Sequence, residues 1–306
     1  MLVLTDDDLD ALIDMPAIVA AVRRAIVDHG AGRHHAPPRI PVELGQHQLI
    51  LTAGGSPDQL GFRASVRPAG APELVAVWDP QRDELRVLIV GRRLSGLRTG
   101  AIGAVAAQVM ARPDAEVLAS IGSGTQAKAQ LMAISATRPL REVLVYSPTP
   151  SHRQATARWA TSQLGLKARA AADARTAVEA ADIVVCATTA EDAVIDARWV
   201  RPGTHITTLR PRSAGHSELP PELFDIAAMI ATDASEQETE AGRRHPLYGH
   251  RAWGRIEPLG RLADRGTPAR GAEDITVFLS AGLAGTEVVV ASLLAERAQA
   301  SATGRP

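Results

Sequence analysis

The chain has 306 residues, 45% hydrophobic and 22% charged, which is the balance of an ordinary globular protein with room for two modest domains. Its formal net charge is −1 and its arginines are spread along the chain, which argues against a nucleic-acid-binding surface. Cys186 is the only cysteine, so no internal disulfide forms, and no apolar run reaches membrane-spanning length, residues 102–110 being short and alanine-rich.

The acidic N-terminus lacks the positive-then-apolar layout of a signal peptide, and a cytoplasmic location is expected. Asp14-Met15-Pro16 predicts a helix start with Asp14 as N-cap; Ile18, Val22 and Ile26 fall on one face and Gly30 suits the stop. Residues 36–72 are rich in Pro and Gly, with strand-like runs at 48–52 and 61–66. Residues 74–78 and 85–90 predict a hairpin across Asp79-Pro80-Gln81-Arg82-Asp83. An alanine-rich helix over 99–111 must end before Pro113.

Beyond Pro113 strands and helices alternate: strand 116–121, helix 125–136, strand 143–146, helix 152–164, and a continuous apolar strand at 182–187. Two more strands are expected at 205–209 and 225–232. This is a βαβ series, hence an α/β fold with a Rossmann-type, doubly wound parallel sheet. Residues 274–297 open as a strand and become a long helix, expected to return to the N-terminal part of the chain.

The strand at 116–121 runs into Gly122-Ser123-Gly124-Thr125-Gln126-Ala127, the G-x-G-x-x-A form of the dinucleotide fingerprint. The first glycine allows a tight turn, the second lets backbone approach a pyrophosphate, and the small third residue lets helix and strand pack closely. In such folds an acid at the end of the second strand holds the ribose hydroxyls of NAD. Here that strand ends Tyr146-Ser147-Pro148-Thr149, with no acid. Ser147 and Thr149 can hydrogen-bond and Arg153 can pair with a 2′-phosphate, so NADP(H) is expected in preference to NAD(H).

Three segments go further: Leu94-Ser95-Gly96-Leu97-Arg98-Thr99-Gly100-Ala101, the glycine turn itself, and Asp274-Ile275-Thr276-Val277-Phe278-Leu279-Ser280-Ala281-Gly282-Leu283-Ala284. In this order, with Arg201-Pro202-Gly203-Thr204-His205-Ile206 and Glu218-Leu219, the chain resembles the ornithine cyclodeaminase/μ-crystallin family over nearly its whole length. The resemblance implies a discontinuous α/β substrate-binding and dimerisation domain, residues 1–112 with 276–306, and a dinucleotide-binding domain at 113–275. It also implies a homodimer, catalysis in the cleft between the domains, and hydride transfer at a carbon bearing nitrogen. Family members include cyclodeaminases, alanine dehydrogenase and cyclic ketimine reductases, and some bind small molecules without an established need for turnover.

By the same resemblance Arg98 grips a substrate carboxylate, which suits a planar guanidinium, and Arg39 falls where the family keeps a second such arginine. Arg63 stands where the family has lysine; it anchors anions but carries protons poorly. Arg212 stands where cyclodeaminases carry a catalytic aspartate. Ala187, Thr188 and Thr189, with Thr99 and Leu209, complete the candidate cofactor contacts. Cys186 is expected to be inert core and His205 to order a strand end. The scattered histidines predict no metal site. Hydride transfer to a protonated imine needs no protein base, so losing the aspartate and lysine hurts a cyclodeaminase most and an imine reductase least. The expected activity is an NAD(P)H-dependent imine reductase or amino-acid dehydrogenase acting on a small amino, imino or oxo acid. Ornithine cyclodeaminase activity and a binding protein without significant turnover are the alternatives.

Overall fold

The computed structural model describes residues 1–68, 70–209, 211–213, 216–266 and 270–302. The chain begins with β1 (Leu2–Thr5), α1 (Asp6–Asp10) and α2 (Met15–Gly30), then β2 (Ile40–Leu44), β3 (His47–Ser56), β4 (Gln59–Arg67), β5 (Glu73–Asp79), β6 (Glu84–Gly91) and α3 (Arg93–Met110). The strands form one six-stranded sheet in the order β1-β6-β5-β4-β3-β2. β2 to β6 run as an antiparallel meander, and β1 closes the edge parallel to β6. Asp14 caps α2 as expected, accepting from the Ala17 N–H at 3.1 Å, and Ile18, Val22 and Ile26 are buried. β1, β2 and α1 were not foreseen. Nor was the first part of α3, which starts six residues before the expected Thr99. Its cap is not local: Asp6 accepts the Arg92 and Arg93 N–H groups at 2.9 Å from the far end of the chain.

The sheet has two unlike faces. Leu4, Val75, Val77, Val87 and Ile89 are buried in the core shared with α2 and α3. The strand register puts Ile40, Val42, Leu44, Leu60, Val66, Val90 and Val3 together on the opposite face. They remain exposed there, Leu44 at 57%.

The second half follows as β7 (Val117–Ile121), α4 (Thr125–Ser135), β8 (Glu142–Tyr146), α5 (Pro150–Leu164), β9 (Ala168–Ala170), α6 (Ala174–Ala180), β10 (Ile183–Cys186), β11 (His205–Thr208), β12 (Pro211–Ser213), β13 (His216–Ser217), α7 (Pro221–Ile226), β14 (Met229–Thr232), α8 (Ser235–Ala241), β15 (Ile256–Pro258), α9 (Leu259–Asp264), β16 (Thr276–Leu279) and α10 (Thr286–Ala302). Eight strands form a wholly parallel sheet in the order β15-β14-β16-β11-β10-β7-β8-β9, the expected doubly wound type. The strand expected at 225–232 is shorter, because Asp225 and Ile226 end a helix begun at Pro221, where proline suits the first turn. β16 lies between β11 and β14, so the chain stays in this sheet to Leu279 rather than leaving it at 276. α10 then packs back against α2, α3 and the first sheet, as expected.

Two features of this topology position a site. After β7 the chain winds one way through β8 and β9, then returns to β10 on the other side of β7. Such a reversal opens a crevice at the carboxyl ends of β7 and β10, where ligands of this architecture bind. Second, α3 of the first half packs closely on α4 of the second. A Cβ at Gly100 would collide with the Ala129 carbonyl, and one at Gly103 with the Gln130 side chain. Gln130 Nε2 donates to the Thr99 carbonyl at 2.9 Å. Among the described residues no helix is long and apolar enough to cross a membrane, and no three His, Cys, Asp or Glu side chains gather as a metal site would require.

Candidate active site

A cleft of about 1340 Å³ lies between the two sheets. One wall is the glycine turn, with Gly122, Ser123, Gly124, Thr125 and Gln126 all lining it. Gly122 has φ +122°, and a Cβ there would strike the Ala187 carbonyl, so only glycine lets the loops after β7 and β10 come this close. A Cβ at Gly124 would meet no protein atom, so this part of the turn opens onto the cleft at the N-terminus of α4. Ala127 is buried where α4 packs on the sheet. The cradle suits a pyrophosphate: free backbone N–H groups at a helix start, close approach, and no side chain in the way.

Ser147, Pro148 and His152 continue this wall. Ser123 Oγ donates to Ser147 Oγ at 3.0 Å, linking the ends of β7 and β8. Arg153 stacks over the Tyr146 ring, 5.4 Å from its centroid, and donates through Nη1 to the Ser147 carbonyl at 2.8 Å. Thr149 is exposed at the start of α5, and neither it nor Arg153 borders the cleft.

Across the turn, Ala187, Thr188, Thr189 and Leu209 border the cleft. Their loops are tied by Glu218, which is fully buried. Its carboxylate accepts from the Thr188 N–H at 2.6 Å, Thr188 Oγ1 at 2.7 Å and Thr208 Oγ1 at 2.7 Å. In the sequence Glu218 stands only as part of the family pattern; its role as a tie between these loops depends on the fold. Cys186 is buried just below, and burial pushes its thiol well above the ordinary range, consistent with inert core.

The opposite wall carries three arginines. Arg39, Arg63 and Arg98 all line the cleft, with Thr99 beside them. Arg98 is 4% exposed and Arg63 7%. Glu287, 1% exposed at the start of α10, lies between them, its Oε1 3.2 Å from Arg98 Nε and 3.4 Å from Arg63 Nε. Burial pushes the Glu287 carboxyl up, but Arg98 and Arg63 outweigh it and hold the group below the usual range. Arg39 Nη2 donates to the Ala281 and Gly282 carbonyls at 2.8 and 3.2 Å. Gly282 has φ +84°, and a Cβ on it would sit 2.6 Å from Arg98 Nη1 and 2.7 Å from Arg39 Nη2, so glycine again permits the approach.

The three guanidiniums differ in what they have left to offer. Protein oxygens surround Arg63: Ser95 Oγ at 3.0 Å, Thr52 Oγ1 and Glu73 at 3.5 Å, and Glu287. Arg98 Nη1 is buried and has no hydrogen-bond partner among the described residues. Burial, with repulsion from Arg63, lowers the Arg98 pKa; burial with repulsion from Arg98 pushes Arg39 down to about 10. A guanidinium does not give up its proton in proteins, so the pair presents desolvated positive charge that a carboxylate would relieve. The Arg212 side chain lies outside the described residues.

The loop under these arginines is pinned by Asp233, at the carboxyl end of β14. Its carboxylate accepts from the Ala281, Gly282 and Leu283 N–H groups at 2.8, 2.9 and 2.7 Å. Asp233 and Glu287 are not among the site residues expected from the sequence, although each is an acid beside an apolar run, a placement that marks a buried partner.

His205 is fully buried in β11. Thr276 Oγ1 donates to the Met110 carbonyl at 3.0 Å, so it accepts from His205 Nδ1 at 2.9 Å, while Thr207 Oγ1 lies 3.2 Å from Nε2. Burial, with nearby Arg270 and Arg138, pushes its pKa down to about 3. The unfolded chain takes up this proton below pH about 6.5 and the folded chain does not, so stability falls as pH drops from 6.5 towards 3. Denaturant unfolding should show His205 alone removing roughly 2 kcal/mol between pH 7 and pH 5, a slope that His205→Gln abolishes.

The ornithine cyclodeaminase/mu-crystallin family model matches residues 2–302. The chain belongs to this family. A Δ1-pyrroline-2-carboxylate reductase of Bacillus cereus is 28% identical over 97% of both chains. Among solved structures, the Thermococcus litoralis Δ1-pyrroline-2-carboxylate reductase in complex with NADH and L-proline is 26% identical, with a TM-score of 0.87, over 100% of this chain and 99% of that one. An archaeal alanine dehydrogenase dimer with bound NAD is 25% identical, with a TM-score of 0.86, over 99% and 97%. The family resemblance read from residues 94–101, 122–127 and 274–284 is thereby established, with the Rossmann-type fold.

Proposed function

We propose that this protein is an NAD(P)H-dependent reductase of small carboxylated imines, which in reverse oxidises the corresponding amino acid. The observation that carries the reading is Arg98, which lines the same cleft as the glycine cradle and whose Nη1 is a buried charged donor without a partner among the described residues. The reductase and dehydrogenase relatives, one of them seen with NADH and L-proline, support it. A bound nicotinamide would supply the hydride. Arg98 and Arg39 hold the carboxylate, Glu287 and Asp233 hold the arginines and their loop, and the substrate is kept at a near-attack separation of about 3–3.5 Å from the hydride donor. Residues 1–112 with 280–302 serve as the substrate half and 113–279 as the nucleotide half. The test is steady-state turnover. Consumption of reduced nicotinamide with cyclic imino acids, or with 2-oxo acids plus amines, is expected; proline and ammonia from ornithine, with the cofactor only catalytic, would replace the reading with a cyclodeaminase.

NADP(H) is the proposed preferred cofactor. Arg153 uses one nitrogen on the Ser147 carbonyl and keeps others for a 2′-phosphate. Arg153→Ala should weaken NADPH binding by about tenfold, a lost charged hydrogen bond, and leave NADH nearly unchanged. A wild-type preference for NADH, untouched by the substitution, would sink the assignment. The exposed apolar face built on Ile40, Val42, Leu44 and Val66 is proposed as the seat of a second copy of this chain in a homodimer, since so continuous a patch marks an interface.

A further inference from the structure

A second polar cluster borders the cleft and has no part in anion binding. Glu238, on α8, and His245 both line it and are 6% and 2% exposed. Glu238 Oε1 accepts from Thr232 Oγ1 at 3.1 Å, and Oε2 lies 2.9 Å from His245 Nε2. The Leu247 N–H donates to His245 Nδ1 at 3.0 Å, which places the ring proton on Nε2, the nitrogen beside Glu238. The Trp253 ring, 4.6 Å away between centroids, backs the imidazole. The cluster sits at the carboxyl end of β14. The neighbouring Gln237 donates to the Ala281 carbonyl at 3.1 Å, the same oxygen that Arg39 holds.

The other carboxylates bordering the cleft are occupied. Among the described residues three acids line it: Asp6 caps α3, Glu73 faces Arg63, and Glu238 meets only a hydroxyl and an imidazole. Glu238 Oε1 accepts one bond, from Thr232, and Oε2 meets His245 Nε2 only as an ion-pair contact, so both oxygens retain lone pairs for a ligand. No lysine lines the cleft, and the remaining imidazole there, His152, belongs to the cofactor wall.

We propose that Glu238 contacts the substrate nitrogen and that Glu238 and His245 together carry the proton delivered to it. The assignment rests on the imine-reductase reading. In the step, the imine carbon takes the hydride from NAD(P)H, which is oxidised to NAD(P)+. The C=N π electrons move onto nitrogen, which takes the proton from the Glu238 carboxyl. A solvent proton then restores the pair through His245. In the oxidative direction the same pair receives the proton from the substrate ammonium. Glu238 is the catalytic group; His245 is a positioning residue that shares its proton.

The test compares two substrates with the nucleotide in excess: a cyclic imino acid at a pH where its nitrogen is unprotonated, and its N-methyl iminium counterpart, which needs no proton. Glu238→Gln should lower kcat on the first by about 100-fold and on the second by no more than about threefold. His245→Gln should show the same selectivity with a smaller loss. Nucleotide affinity and the unfolding midpoint should stay near wild type. Equal losses on both substrates, or none on either, would mean that the pair only ties α8 to its loop. If Glu238→Gln does not fold, His245→Gln decides by the same comparison. Wild-type protein inactive on both substrates would overturn the reductase reading itself, whereas an active wild type with unselective variants overturns this assignment alone.

Discussion

Glu287→Ala is expected to destabilise the fold by about 3–5 kcal/mol, the usual penalty for removing one partner of a buried ion pair. Glu287 is 1% exposed and lies between Arg63 and Arg98, themselves nearly buried. Without it, two guanidiniums stay desolvated side by side, and their repulsion adds to the unpaired burial. Glu287→Gln, which keeps the shape and loses the charge, should fall between wild type and Ala. Urea unfolding of the three proteins measures this; a change below about 1 kcal/mol would show that solvent or Glu73 already balances the arginines. A substrate-like carboxylate should narrow the gap, stabilising the Glu287 variants, in which Arg63 and Arg98 have lost their shared partner, more than the wild type.

Arg98→Ala should have the largest effect on catalysis. A charged hydrogen bond to a carboxylate contributes about 1.5–3 kcal/mol, and a guanidinium can make two in parallel, so kcat/KM should fall by roughly 100-fold or more. Arg98→Lys should recover little, because an ammonium cannot reproduce the planar fork. Nucleotide affinity should be unaffected, since Arg98 stands on the wall opposite the glycine turn. Retained kcat/KM in Arg98→Ala would remove this residue from the site and leave Arg39 as the carboxylate anchor.

The parts of this protein legible in its sequence are those set by local pattern. The strand, glycine turn and helix from Val117 to Ser135 follow from a short continuous apolar run and from the steric needs of Gly122 and Ala127. Asp14 announces α2 because its partner is three residues away. What could not be read depends on residues far apart in the chain. The early start of α3 relies on Asp6, more than eighty residues upstream. Glu287 and Asp233 have no local signature for the arginines and backbone amides they hold, and Glu238 and His245 meet only through the fold. Arg63 was expected to offer charge to a ligand, yet Ser95, Thr52, Glu73 and Glu287 surround it. Only the assembled wall could show that.

The contact of Gly100 and Gly103 with α4 has a metric consequence. α3 carries Arg98, the grip on the substrate, and α4 begins at the turn that cradles the nucleotide. At Gly100 backbone meets backbone, the Ala129 carbonyl, and at Gly103 the tethered Gln130 amide fills the gap; the first is a stop with almost no give, so the span from carboxylate anchor to phosphate cradle is a fixed ruler between the halves. A substrate is then measured by the number of atoms between its carboxylate and its reacting carbon. One atom too many or too few leaves that carbon about an ångström from its mark, an error that can cost about 100-fold in rate even when the acid end is held perfectly well.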